Sequence, residues 1–222
     1  MSPPRFAPRA LILDMDGLMV DSEPIWFRVE CDFAVARGGM WTEALAAPCV
    51  GRGIRNTLSS MRDEFVFDLA PDRDAAEIID RFIARVPELE LKLGCAALLD
   101  AARGKARIAL ASSSPARLID AVLARFEIAP RLDAVVSGEA VALPKPAPDI
   151  FLEAARRLGI EPAHCLVLED SLAGVTAGRA AGMAVIAIPE GDLQGKGFER
   201  VADAIARDLV EARGWMDLEP RI

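Results

Sequence analysis

From about residue 95 onward, short apolar runs alternate with segments of helical period, and that alternation leaves few architectures open. The runs Ile108–Ala111, Ala134–Val136, Cys165–Leu168 and Ala184–Ile188 are separated by helical stretches at Pro115–Phe126, Asp149–Leu158 and Ala173–Ala181, with a further helix near Cys95–Arg103. Strands joined by helices of this length run parallel, because each crossover returns the chain to the same end of the sheet. Ala10–Leu13 is a fifth such run. The predicted fold class is α/β, a doubly wound parallel sheet with helices on both faces. Between Asp21 and Pro87 the pattern changes. Ile25–Arg37, Glu43–Ala47, Ile54–Arg62 and Asp74–Val86 have three-to-four-residue apolar spacing and no strand-like alternation, so this part reads as a helical insert. The division that follows is an α/β core of residues 1–20 and 89–222 and a helical cap domain of residues 21–88.

Polar residues fall where the strands end. The first run leads into Asp14-Met15-Asp16-Gly17, the Ile108 run into Ser112-Ser113-Ser114-Pro115, and the Cys165 run into Glu169-Asp170-Ser171. In an open parallel sheet all these carboxyl ends lie on one edge, where such sheets bind ligands. Alternation along an extended backbone points Asp14 and Asp16 to the same side, where like charges repel unless a cation or a proton sits between them. An Asx turn is the other reading, and it accounts for one aspartate better than for two. The converging carboxylates have the oxygen-ligand character of a Mg²⁺ site, and the serine-rich turn opens a helix whose first amides can hold an anion. Lys145 lies in Pro144-Lys145-Pro146; a lysine is ordinarily a solvated surface group, but flanking prolines pin this backbone and argue for a fixed position.

Several function classes are excluded by what the chain lacks. No apolar run approaches the roughly 18 residues of a membrane span, and the proline-rich first nine residues lack a signal-peptide core, so a cytoplasmic protein is expected. A net charge of −8 without a lysine-arginine cluster argues against a nucleic-acid partner. Cys31, Cys49, Cys95 and Cys165 have no CxxC spacing and His164 is the only histidine, which excludes a Cys/His zinc site and leaves a Ser-His-Asp triad without a plausible base. Carboxylates or a lysine must do any chemistry.

Taken in order, Asp14-Met15-Asp16-Gly17, Ser112, Lys145-Pro146 and Glu169-Asp170-Ser171 resemble the four motifs of the haloacid dehalogenase (HAD) superfamily, and the likeness covers nearly the whole chain. It is closest to the branch with a helical cap after the first motif, which contains beta-phosphoglucomutase and small sugar-phosphate phosphatases. The resemblance implies a Rossmann-like core and a Mg²⁺-dependent phosphatase acting on a small phosphorylated metabolite, expected as a monomer. By resemblance, Asp14 is the nucleophile that forms an aspartyl-phosphate and Asp16 the general acid and base. Mg²⁺ is then bound by Asp14, Asp170 and the backbone carbonyl of Asp16, with Glu169 at or near the metal. Ser112, the Ser113 amide and Lys145 resemble the phosphate cradle, and Gly17 leaves the backbone free to approach the transferring oxygens. Gly51-Arg52-Gly53-Ile54-Arg55 resembles the substrate-specificity loop, in which Arg52 and Arg55 reach the far end of the substrate; an ordinary solvated loop is the alternative.

Other members of the superfamily set the competing expectations. A dehalogenase has no need of an aspartate in the position of Asp16, and a non-catalytic binding module would not need Asp14 or Asp170. Beta-phosphoglucomutases carry a histidine in the helix after the first motif, where this chain has Trp26, itself also readable as a cap-core residue. Hydrolysis is therefore expected over phosphomutase action. Leu93-Gly94 replaces the Pro-Gly pair of many relatives, which puts the hinge geometry in question. Residues 189–199 read as a loop and Val201–Ala212 as a C-terminal helix.

Overall fold

The computed structural model describes residues 4–65, 68–190 and 197–218. The chain begins with strand β1 (Ala10–Leu13), then runs through helices α1 (Glu23–Val35), α2 (Glu43–Ala46), α3 (Ile54–Glu64) and α4 (Pro71–Ile83). It continues with α5 (Cys95–Ala102), β2 (Arg107–Ser112), α6 (Ala116–Phe126), β3 (Ala134–Ser137), α7 (Asp149–Leu158), β4 (Cys165–Glu169), α8 (Leu172–Ala180), β5 (Ala184–Ala187), β6 (Ala204–Ile205) and α9 (Leu209–Gly214). The strands form one six-stranded sheet in the order β3-β2-β1-β4-β5-β6, with every neighbouring pair parallel. The doubly wound α/β class expected from the alternation is what the chain adopts.

Both faces of the sheet are covered, and alternation along each central strand decides which residue faces which layer. Leu11 and Leu13 of β1, with Ile108 and Leu110 of β2, join a cluster that includes Leu98, Leu118 and Leu209. Ala10 and Ile12, with Ala109 and Ala111, face Phe151, Ala154 and Val175 of α7 and α8. Small residues on that second face let α7 lie close to the strands. The first cluster also takes in Val29, Phe33, Leu58, Met61, Ile78 and Phe82, so the inserted helices and the sheet share one continuous apolar body.

The chain enters and leaves the inserted helices through two paired segments. Val20 bridges Leu91 in antiparallel sense, Lys92 N donates to Met19 O at 2.9 Å, and Asp21 N donates to Glu90 O at 3.0 Å. Gly94 follows at φ +89°, and a Cβ there would stand 2.8 Å from the Val210 backbone nitrogen. The glycine of the Leu93-Gly94 pair is therefore the residue this turn requires, and the leucine, 71% exposed, is not constrained by packing.

The C-terminal region differs from expectation. A single helix over Val201–Ala212 does not form; a 3₁₀ turn, β6 and the short α9 take its place. Asp203 accepts from Val185 N at 2.8 Å and pairs with Arg179, tying the chain to the start of β5, and Asp208 restarts the helix by accepting from Glu211 N at 2.8 Å. Of the loop read at 189–199, residues 191–196 lie outside the described residues. No helix among the described residues is long and apolar enough to cross a membrane.

Phe151 is fully buried between α7 and the sheet, and its ring centroid lies 5.1 Å from Lys145 Nζ. Phe151→Ala is expected to cost about 3–5 kcal/mol of unfolding free energy, measured by urea denaturation, with an unchanged dependence on denaturant.

Candidate active site

Register brings the polar strand ends together. Leu13 pairs with Leu110 on one side and Leu168 on the other, so Asp14, Ser112 and Glu169 emerge within about a residue of the same level. Asp14 N donates to Leu168 O at 3.1 Å, which continues the ladder into the site. Asp14, Ser112, Lys145, Glu169 and Asp170 are all buried.

Lys145 Nζ is the hub of the inner cluster. It donates to Asp14 Oδ1 at 2.5 Å, to Glu169 Oε1 at 2.6 Å and to the Ala111 carbonyl at 3.3 Å. Glu169 turns its other oxygen to Ser171, accepting from the backbone N at 2.8 Å and from Oγ at 2.9 Å. Burial alone would lower the Lys145 pKa, but Asp14 and Glu169 more than offset it and hold the ammonium charged. Asp14 is pushed up to about 8, chiefly by burial; Lys145 pulls it down, and Glu169 and Asp16 push it up. Asp170 is raised well above the carboxylate range by burial, then by Glu169 and Asp14.

Three carboxylates thus face one protein cation. Ligand oxygens of Asp14, Glu169 and Asp170 lie within 4.8 Å of one another, and the Asp170 side chain has no hydrogen bond or ion pair with any described residue. Such an all-oxygen set with surplus negative charge fits a hard divalent cation such as Mg²⁺. Gly17 makes the approach possible. It sits at φ +75°, and a Cβ there would stand 2.2 Å from Asp170 Oδ2.

Asp16 is held apart from that cluster by neutral donors. Its Oδ1 accepts from Trp26 Nε1 at 2.9 Å, and its Oδ2 accepts from Ser114 Oγ at 2.8 Å and Ser112 Oγ at 3.3 Å. Its carboxylate is outside the acidic group, so the metal contact assigned to Asp16 rests on its backbone carbonyl alone. Ser112 Oγ also accepts from Ser114 N at 3.0 Å, and Ser113 Oγ donates to the Gly51 carbonyl at 3.1 Å. A single cavity is lined by Asp14, Asp16 and Ser112–Ser114 on one side and by helices α1 and α3 on the other.

The two arginines of the 51–55 loop are not in this cavity. Arg52 and Arg55 are exposed and line an adjoining outer groove, where Arg55 pairs with Asp72 at 2.7 Å. The loop's glycines explain this placement: Gly51 and Gly53 turn their backbone against Ser171 and Ser113, with a Cβ on Gly51 only 2.3 Å from Ser171 Oγ. The neighbouring arginine side chains are left to project outward.

Sequence reasoning missed four residues that the structure brings in. Ser114 and Trp26 hold Asp16, and Glu23 and Glu30 line the cavity. The signal for Ser114 was the triple serine; Glu23, Trp26 and Glu30 fall three, four and seven residues apart on one helix face. Ser22 stands in the N-cap position without capping α1; its Oγ accepts instead from Gly17 N at 3.1 Å.

The chain is similar to several known proteins. The family model for haloacid dehalogenase-like hydrolases matches residues 8–182. Hexitol phosphatase B of Escherichia coli (strain K12) is 33% identical over 221 residues, covering 91% of this chain and 93% of that protein. The phosphorylated carbohydrates phosphatase of Thermotoga maritima is 29% identical over 184 residues, covering 78% of this chain and 82% of that one. Among solved structures, CbbY from Rhodobacter sphaeroides in complex with phosphate superposes with a TM-score of 0.81 at 24% identity, over 92% of this chain and 96% of that one, a likeness of fold. With most of the chain matched and the motif residues gathered at one sheet edge, the protein belongs to the haloacid dehalogenase-like hydrolases.

Proposed function

We propose that the protein is a Mg²⁺-dependent phosphatase that hydrolyses a small sugar phosphate through a phosphoryl group carried on Asp14. The observation that carries this reading is the separation of two carboxylates facing one cavity: Asp14 among buried charges, Asp16 among neutral hydrogen-bond donors. The named activities of the Escherichia coli and Thermotoga relatives support the substrate class.

In this reading an Asp14 carboxylate oxygen attacks phosphorus, and the bond from phosphorus to the substrate's ester oxygen breaks. Asp16 gives its proton to that leaving oxygen, then takes one from the water that attacks the aspartyl-phosphate and releases inorganic phosphate. Ser112, the Ser113 amide and Lys145 hold the phosphoryl oxygens. Asp14, Asp170 and the Asp16 backbone carbonyl would hold Mg²⁺, which supplies the charge cancellation that lets an anion attack a phosphate dianion. Glu169, already bonded to Lys145 and Ser171, orients that lysine and would itself stand at or near the metal. Residues 21–88 act as a cap that closes on a core of 1–20 and 89–222 about the Val20–Leu91 pair, excluding bulk water during the first step. Trp26 stands where a mutase carries histidine, so water rather than a returning sugar accepts the phosphoryl group. The state proposed is a monomer and the compartment proposed is the cytoplasm.

Asp14→Asn is expected to lower turnover of 4-nitrophenyl phosphate by at least about a thousandfold, read as absorbance of the released phenolate. EDTA should abolish the same signal and added Mg²⁺ restore it; full activity under chelation would refute the metal's role. Trp26→Phe keeps the ring that packs 4.2 Å from Phe82 but removes the N–H bound to Asp16. It is expected to lower kcat about tenfold for an alkyl phosphate and much less for 4-nitrophenyl phosphate, whose leaving group hardly needs a proton. Equal losses on both substrates would remove the link between Trp26 and the acid. Following glucose 1-phosphate isomer conversion beside phosphate release checks the hydrolytic outcome, with phosphate release expected to dominate.

A further inference from the structure

The far side of the cavity is acidic. Glu23 and Glu30 lie two turns apart on one face of α1, and both line the space into which Asp14 and Asp16 open. Glu30 is only 7% exposed, and Trp41 Nε1 donates to its Oε2 at 2.9 Å, fixing the carboxylate from behind. Glu23 is half-buried and makes no hydrogen bond or ion pair with any described residue. Burial pushes both carboxyls up to about 7, Glu23 with added repulsion from Asp16 and Glu30. The rest of this wall is Thr57 and the apolar surfaces of Trp26, Phe27, Ile54 and Ile79, and among the described residues no lysine or arginine lines it.

When ionised, these groups set the sign of the far wall. A second phosphate or a carboxylate on the substrate would be brought against two carboxylates with no facing cation among the lining residues, which disfavours its binding. A hydroxylated carbon chain brings O–H donors to carboxylate acceptors and C–H faces to the aromatic wall. We infer that the cavity selects the monophosphate of an uncharged polyhydroxylated alcohol, with Glu23 and Glu30 accepting its hydroxyl hydrogens, and rejects substrates that carry a second anionic group. The inference rests on the phosphatase reading and narrows its substrate class. It also reverses the expectation that arginines receive the far end of the substrate.

Binding separates this selectivity from turnover. Asp14→Asn protein with Mg²⁺ is titrated calorimetrically at about pH 8.5, above the raised titration of both glutamates, with glucitol 6-phosphate and with fructose 1,6-bisphosphate. The monophosphate is expected to bind at least about a hundredfold more tightly. In the same background, Glu23→Gln and Glu30→Gln keep the side-chain shape and remove the charge, and each is expected to narrow that ratio about tenfold. A bisphosphate that binds as tightly as the monophosphate overturns the inference, as does a ratio unchanged in both variants. Each ratio is taken within one folded protein, so a loss of stability common to both ligands does not mimic the effect. Turnover of 4-nitrophenyl phosphate by the unmutated protein reads the phosphatase reading separately: its absence ends that reading, and the binding ratio still decides the selectivity.

Discussion

Lys145 is the interaction on which the site depends. Its ammonium sits between Asp14 and Glu169 with both partners inside hydrogen-bond range, and all three groups are buried. Buried charges are tolerable only when paired and fully hydrogen-bonded, and removing one member leaves its partners stranded at several kcal/mol. Here the pairing is incomplete: one ammonium faces Asp14, Glu169 and Asp170, an all-oxygen donor set that fits a hard cation. The sheet register and the helices serve to hold this imbalance in place. Phe151 lies beneath Lys145, and the Ala111 carbonyl accepts the third of its hydrogen bonds.

Close approach is the second constraint, and glycine supplies it: a Cβ on Gly174 would stand 1.7 Å from Glu169 Oε1, and two loops come over the cluster on glycine. Gly17 lets the loop after β1 lie against Asp170, and Gly51 lets the loop before α3 lie against Ser171. The inserted helices therefore touch the sheet edge through backbone, while their apolar faces merge with one face of the sheet. Between these two attachments the cavity carries carboxyl groups at both ends.

The parts of this arrangement that were legible in the sequence are those set by period and by chain order. Strand and helix alternation gave the sheet, and strand ends in a parallel sheet have only one edge to occupy, so Asp14, Ser112, Glu169 and Asp170 had to converge. Lys145 was readable because prolines on both sides fix a residue that is otherwise free. Side-chain direction in the inserted helices was not readable. Whether Arg52 or Gly51 meets the sheet depends on where the loop lands, and Trp26 was equally consistent with a plain core role because its ring does pack on Phe82. The C-terminal region misled for a similar reason: apolar spacing over 201–212 fits a helix locally, and only the distant Arg179 and Val185 N claim Asp203 and break it.

The unequal surroundings of Asp14 and Asp16 tie chemistry to the position of the inserted helices. Asp14 takes its electrostatic partners from the core, through Lys145, Glu169 and Asp16, none of which lies on α1. Asp16 draws on both sides: Ser112 and Ser114 come from the end of β2 and the turn after it, but Trp26 comes from α1. Withdrawing α1 removes one of its three donors and opens the cavity to water in the same motion. In the phosphatase reading, a proton donor whose hydrogen-bond set is completed only by cavity closure works on enclosed substrate. The proposed nucleophile Asp14 is then preset by the core, while the proposed acid Asp16 is assembled by closure, and the indole N–H of Trp26 joins the two.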